Sequence, residues 1–117
     1  MVALARCKYC GKDLDPSSEK CLALPGGSAH LDCWVTHVFR LRGVDKEVLG
    51  ALAALLDYLL SARLLCREIS SLSRDEVLSR DICAIAENIG DQISQLVDLV
   101  YGRLLRSGEG DEGGPQE

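Results

Sequence analysis

The sequence predicts a mainly α fold, in which a small N-terminal module organised by cysteine and histidine precedes a long antiparallel helical hairpin. Three observations lead there. The 117 residues contain twenty Leu but only five aromatic side chains, a bias toward helix packing rather than a sandwich or barrel. Residues 44–106 lack proline and carry apolar positions at helical spacing. Four of the six cysteines fall within residues 1–43. Charge divides the chain in the same way: residues 1–43 net +2, residues 44–106 net −3, and residues 107–117 hold four acids and four Gly without an aliphatic side chain. That last stretch has too little apolar surface to offset its ordering entropy and is predicted to be a disordered acidic tail.

In the first part, Cys7-Lys-Tyr-Cys10 is followed after nineteen residues by His30-Leu-Asp-Cys33. Three thiolates and one imidazole are the donor set of a tetrahedral structural zinc site, predicting one Zn2+ per chain. Two residues between ligands let one tight turn present both side chains, and Gly11 supplies the positive φ often needed on leaving it. Residues 20–29, with Pro25-Gly26-Gly27 as the turn, read as a small β-hairpin. The segment after His30 reads as a short helix with His30 and Cys33 on one face of its first turn. Knuckle, hairpin and helix start together predict a treble-clef-like module. Cys21 and His37 are rival ligands; Cys21 is expected to be a small buried residue and His37 a surface or packing histidine. Trp34 is expected to pack the short helix onto the hairpin or the helical arm.

The helical part begins with Asp45 as a candidate N-cap. Val48, Leu52, Leu55, Leu59, Ala62, Cys66 and Ile69 then recur at spacings of four and three, one stripe of a helix. Leu49, Leu56, Leu60 and Leu64 widen it. Residues 70–74, SSLSR, break the pattern, and Ser73 with Glu76 forms a capping box for a second helix. There Leu78, Ile82, Ile85, Ile89, Ile93, Leu96, Val100 and Leu104 repeat the periodicity. At 1.5 Å per residue the helices should be about 40 and 48 Å long. A two-helix hairpin cannot cover so wide an apolar face. The surplus requires the N-terminal module, a second copy or another protein, and a homodimer is expected. Cys66 and Cys83 are offset by about a turn across the hairpin and are expected to be buried free thiols.

The four ligands and their spacing resemble the first half of a LIM domain, over about thirty residues. The resemblance stops at Thr36, where that family continues with further cysteines, which implies one metal ion rather than two. Over roughly residues 5–105 the chain also resembles a family of short archaeal zinc-binding proteins, in which a single C-x2-C…H-x2-C module precedes a Leu-rich helical region. That resemblance implies metal binding and nothing more specific.

Several function classes are disfavoured. The formal net charge of −5 does not suit a protein that coats nucleic acid. The opening MVALARC is too short and too soon charged for a signal-peptide core. Asp57 and Arg63 interrupt the most apolar stretch, where a charge at mid-membrane costs about 3 kcal/mol, so a soluble, cytoplasmic protein without a membrane partner is expected. No nucleophile–base set or phosphate-cradling glycine loop is present. Leu31 and Asp32 after His30 do not make the H-x-E of zinc deaminases. Asp57, Glu68, Glu87 and Asp91 lack the Glu-x-x-His motif of bundle di-iron sites. A non-enzyme is therefore expected, acting through protein–protein interaction or assembly by its hairpin. The alternative is nucleic-acid or ribonucleoprotein binding through the basic module, with Arg6, Lys8, Tyr9, Lys12, Lys20, Arg40 and Arg42 as the contacts.

Overall fold

The computed structural model describes residues 5–105; the predicted acidic tail at 107–117 lies outside them. Two strands, β1 (Cys21–Leu24) and β2 (Gly27–His30), form an antiparallel hairpin with Cys21 opposite His30 and Leu24 opposite Gly27. Pro25 pre-sets its φ at the turn and Gly26 follows at φ 87°, a conformation that excludes most side chains. Helix α1 (Leu31–Val38) starts directly after β2, with His30 as its N-cap residue. Helices α2 (Lys46–Leu72) and α3 (Glu76–Leu99) form the long hairpin, and α3 continues into a π-helical turn, Val100–Leu105. The predicted mainly helical chain with a small strand hairpin and a helix hairpin is what the structure contains.

Asp45 caps α2, its carboxylate accepting from the backbone N–H groups of Glu47 and Val48. The next boundary differs from expectation. Ser70 and Ser71 remain helical and α2 runs to Leu72, leaving Ser73 as its C-cap residue. The cap of α3 is Asp75, which accepts from the N–H groups of Val77 and Leu78, while Ser73 Oγ accepts from the Asp75 N–H. A carboxylate two residues nearer the helix displaces the Ser73–Glu76 capping box, because it satisfies two orphan donors and its charge suits the helix N-terminus.

The N-terminal module folds back along the helical hairpin, and the two share one core. Leu14, Leu22, Trp34 and Val38 from the module cluster with Leu49, Leu56, Leu60, Ile93, Val97 and Val100. This rotates burial on α2 away from the expected stripe. Leu49, Leu56 and Leu60 are closed over, whereas Val48, Leu55 and Ile69 remain more than two-fifths exposed. The polar contacts between the parts agree: Lys20 pairs with Asp57 at 2.5 Å, and Arg67 Nη1 donates to the Pro16 carbonyl at 2.8 Å. By length and composition alone α2 is long and apolar enough to span a membrane, with an 18-residue window of mean hydropathy 1.7. In this fold it is the spine on which the module and α3 pack.

Of the two helix cysteines, Cys66 is half-buried, but Cys83 is exposed, which corrects the expected burial. Its sulfur lies 3.2 Å from Ser70 Oγ, at the edge of the α2–α3 seam, because the apolar stripe of α3 runs through its neighbours Ile82 and Ala86.

Candidate metal centre

The first two candidate ligands sit in a tight loop closed by a short antiparallel bridge. Arg6 and Asp13 are bridge partners, the Cys7 N–H donates to the Lys12 carbonyl at 2.9 Å, and the Leu14 N–H to Ala5 at 2.8 Å. Inside the loop the Gly11 N–H donates to the Cys7 carbonyl at 2.9 Å, and Gly11 adopts the expected positive φ of 76°. The loop is docked on β2 by the Lys8 N–H donating to the Ser28 carbonyl at 2.9 Å. That bond brings the Cys7–Cys10 turn over the end of the strand hairpin, where β2 passes into α1.

His30 and Cys33 approach from this junction. The His30 side chain does not cap its own helix. Its Nδ1 instead lies 3.4 Å from Cys10 Sγ and 3.8 Å from Cys33 Sγ. One donor atom from each of Cys7, Cys10, His30 and Cys33 lies within 4.8 Å of the others, a group that could hold a metal ion. Cys7 is buried, Cys33 and His30 half-buried and Cys10 exposed.

Electrostatics distinguish the thiols. Burial pushes the Cys7 thiol up, but backbone N–H groups of Cys10, His30 and Tyr9 outweigh it and bring it down to about 6. Such N–H donors favour the thiolate. Burial, with Cys7 and Cys10 alongside, pushes Cys33 up to about 11. Three thiolates this close repel one another unless a cation lies between them, so the donor set fits a divalent ion.

One residue that the sequence reading missed also belongs here. Glu19 Oε1 lies 3.4 Å from His30 Nε2 and accepts the Asp15 N–H at 2.9 Å. The carboxylate thereby holds the ring with Nδ1 turned to the sulfurs, the usual outer partner of a metal-bound histidine. Nothing in the spacing of Glu19 marks it, since its position depends on the turn at residues 15–19.

The rival ligands lie apart from the group. Cys21 is buried and lines a cavity of about 180 Å³ together with Leu14, Leu22 and Ile93, between the module and the hairpin. His37 stacks on the Tyr9 ring with centroids 4.8 Å apart.

The candidate nucleic-acid contacts are dispersed. Arg6 pairs with Asp13 at 3.6 Å and Lys20 with Asp57. Lys8 Nζ donates to the Pro25 carbonyl at 3.4 Å and stands 5.5 Å from the Tyr9 ring centre, so Tyr9 has His37 and Lys8 as neighbours. Lys12, Arg40 and Arg42 are exposed. Compared with protein-family models, curated proteins and solved structures, the chain matches none.

Proposed function

We propose that this is a soluble, cytoplasmic, non-enzymatic protein in which one structural Zn2+, held by Cys7, Cys10, His30 and Cys33 in a treble-clef-like module, fixes a helical hairpin for assembly with other protein chains. The convergence of three sulfurs and one imidazole nitrogen within 4.8 Å carries this reading. Thiolate and imidazole donors select zinc over hard cations. Four protein ligands fill a tetrahedral shell and leave no position for a reactive water, which favours a structural over a catalytic role. When bound, the ion supplies the positive charge that lets three thiolates coexist, joining the Cys7–Cys10 loop to the start of α1. That cross-link serves a segment whose own core is small. The apolar side chains left exposed along α2 and α3 support assembly as the purpose of the hairpin.

The test is native mass spectrometry of the full chain, combined with emission from Trp34, the single tryptophan. One zinc per chain is expected, lost in Cys10→Ser. Chelation should shift Trp34 emission to the red, because Trp34 is fully buried and adjacent to a ligand. A metal-free chain, two ions per chain, or emission indifferent to chelation would overturn the reading.

A further inference from the structure

The face of α2 turned away from the module is apolar and uncovered. Leu55, Tyr58, Ala62, Leu65, Ile69 and Leu72 follow one another at spacings of three, four, three, four and three, the heptad repeat of a helix seam. On a helix turning 100° per residue, this line runs roughly opposite Leu49, Leu56 and Leu60, the three that the module buries. It is also exposed: Tyr58 is 75%, Leu65 57% and Leu72 74% accessible. Leu78, Ile85 and Leu99, seven and fourteen residues apart, extend the surface along α3, each between 44% and 55% accessible.

We infer that this face is covered by a second copy of the chain, two hairpins packing back to back as a four-helix bundle with the two metal modules on its outer sides. The inference deepens the assembly reading above and rests on it. Size supports it. A face about 30 Å long and two helices, about 20 Å, wide offers about 600 Å² per copy, or about 1,200 Å² per pair, the lower bound of a specific interface. Charge supports it too. A two-fold contact sets the same patch against itself, so a patch of one sign would repel its copy. The six α2 positions carry no charge; Asp57 and Arg67 are engaged by Lys20 and the Pro16 carbonyl, and the exposed Glu68 and Asp81 stand at the rim of the face rather than within its line. The seven-residue period also matches the left-handed supercoil of a bundle. A bilayer surface is the weaker occupant. Helices that lie on membranes carry Lys and Arg on the polar face, whereas this chain nets −5 and α3 displays Asp81, Glu87, Asp91 and Asp98 to solvent.

The experiment is light scattering of the zinc-loaded full chain during size exclusion, at tens of micromolar protein. A mass of twice 12.7 kDa is expected, and it should persist in high salt. Leu65→Glu with Ile85→Glu should raise the dimer dissociation constant by at least about 100-fold, since each copy would bury unpaired charge. Zinc content and Trp34 emission should stay unchanged, as both side chains lie outside the shared core. Tyr58→Glu, at the most exposed position, should weaken the dimer in the same way and keeps the test valid if the double variant does not fold. A zinc-loaded wild-type monomer would overturn the inference while leaving the metal reading intact. So would a dimer indifferent to both variants, or a monomer that floats with neutral phosphatidylcholine vesicles. A dimer that contains no zinc would instead overturn the metal reading alone.

Discussion

Trp34 Nε1 donates a hydrogen bond to the Tyr101 hydroxyl at 2.9 Å, joining α1 to the π-helical turn 67 positions later in the chain. Trp34 directly follows Cys33, a member of the candidate metal cluster, and has no accessible surface, so that cluster and the C-terminal end of the hairpin are linked through one side chain. Full burial gives this tryptophan the packing role expected from sequence. Trp34→Ala should cost about 3–5 kcal/mol, the range for removing a large aromatic from a core. Tyr101→Phe should cost about 1 kcal/mol, because it deletes one hydrogen bond and leaves the indole N–H without that partner. Urea denaturation measures both, and near-equal losses would contradict the packing role.

The Glu19–His30 contact predicts a metal-affinity effect without a fold effect. Glu19→Gln keeps the shape but replaces the carboxylate beside Nε2 with a neutral amide. Outer partners of this kind are worth 10–100-fold in affinity, and the side chain here is 44% exposed, so about tenfold weaker zinc binding is expected. Competition with a chromophoric chelator reads it, while the circular dichroism spectrum should not change. Unchanged affinity would show that the His30 ring is oriented by the sulfurs alone.

Acid should release the metal in two regimes. Cys7 is held down at about 6 and Cys33 pushed up to about 11, and each must be a thiolate to bind. Between those values binding must expel the Cys33 proton, whereas Cys7 has already lost its own. Affinity therefore rises with pH through that window, by about tenfold per unit from Cys33 alone. Below about 6 the Cys7 proton must also be expelled, and the dependence steepens. Zinc titrations on both sides of pH 6 check this; a flat profile would contradict it.

The cluster of Cys7, Cys10, His30 and Cys33 was legible because the constraint on it is local: two short spacings fix two turns that each present a pair of donors, and the loop and α1 then need only meet. The strand hairpin was legible from Pro25 and Gly26 for the same reason. The orientation of α2 was not. Two apolar stripes, Val48–Leu52–Leu55–Leu59 and Leu49–Leu56–Leu60, share the helix, and periodicity scores both alike. The module chooses the second, a decision made by tertiary packing that no window along α2 contains. Glu19 escaped notice because the turn at residues 15–19 places it, and the exposure of Cys83 because it depends on which surface of α3 the neighbouring helix covers.

The shifted cap gives a prediction that separates two nearby residues. Asp75 accepts from two backbone N–H groups at the start of α3, at 3.0 and 3.2 Å, and its charge lies at the positive end of the helix. Ser73 Oγ accepts the Asp75 N–H at 3.0 Å and donates to the Asp75 carbonyl at 3.2 Å, bonding no N–H of the helix itself. Losing an N-cap carboxylate costs about 1 kcal/mol, within a range of about 0.5–2. Asp75→Ala should therefore destabilise the hairpin by about 1 kcal/mol, and Asp75→Asn by less, because the amide oxygen still caps but the favourable charge is gone. Ser73→Ala should cost only a few tenths of that amount, since the two bonds it removes are exposed and water can replace them. Thermal unfolding of the three variants ranks them. If Ser73→Ala were the most damaging, the capping box with Glu76 would be the true start of α3, and the carboxylate of Asp75 would be a bystander.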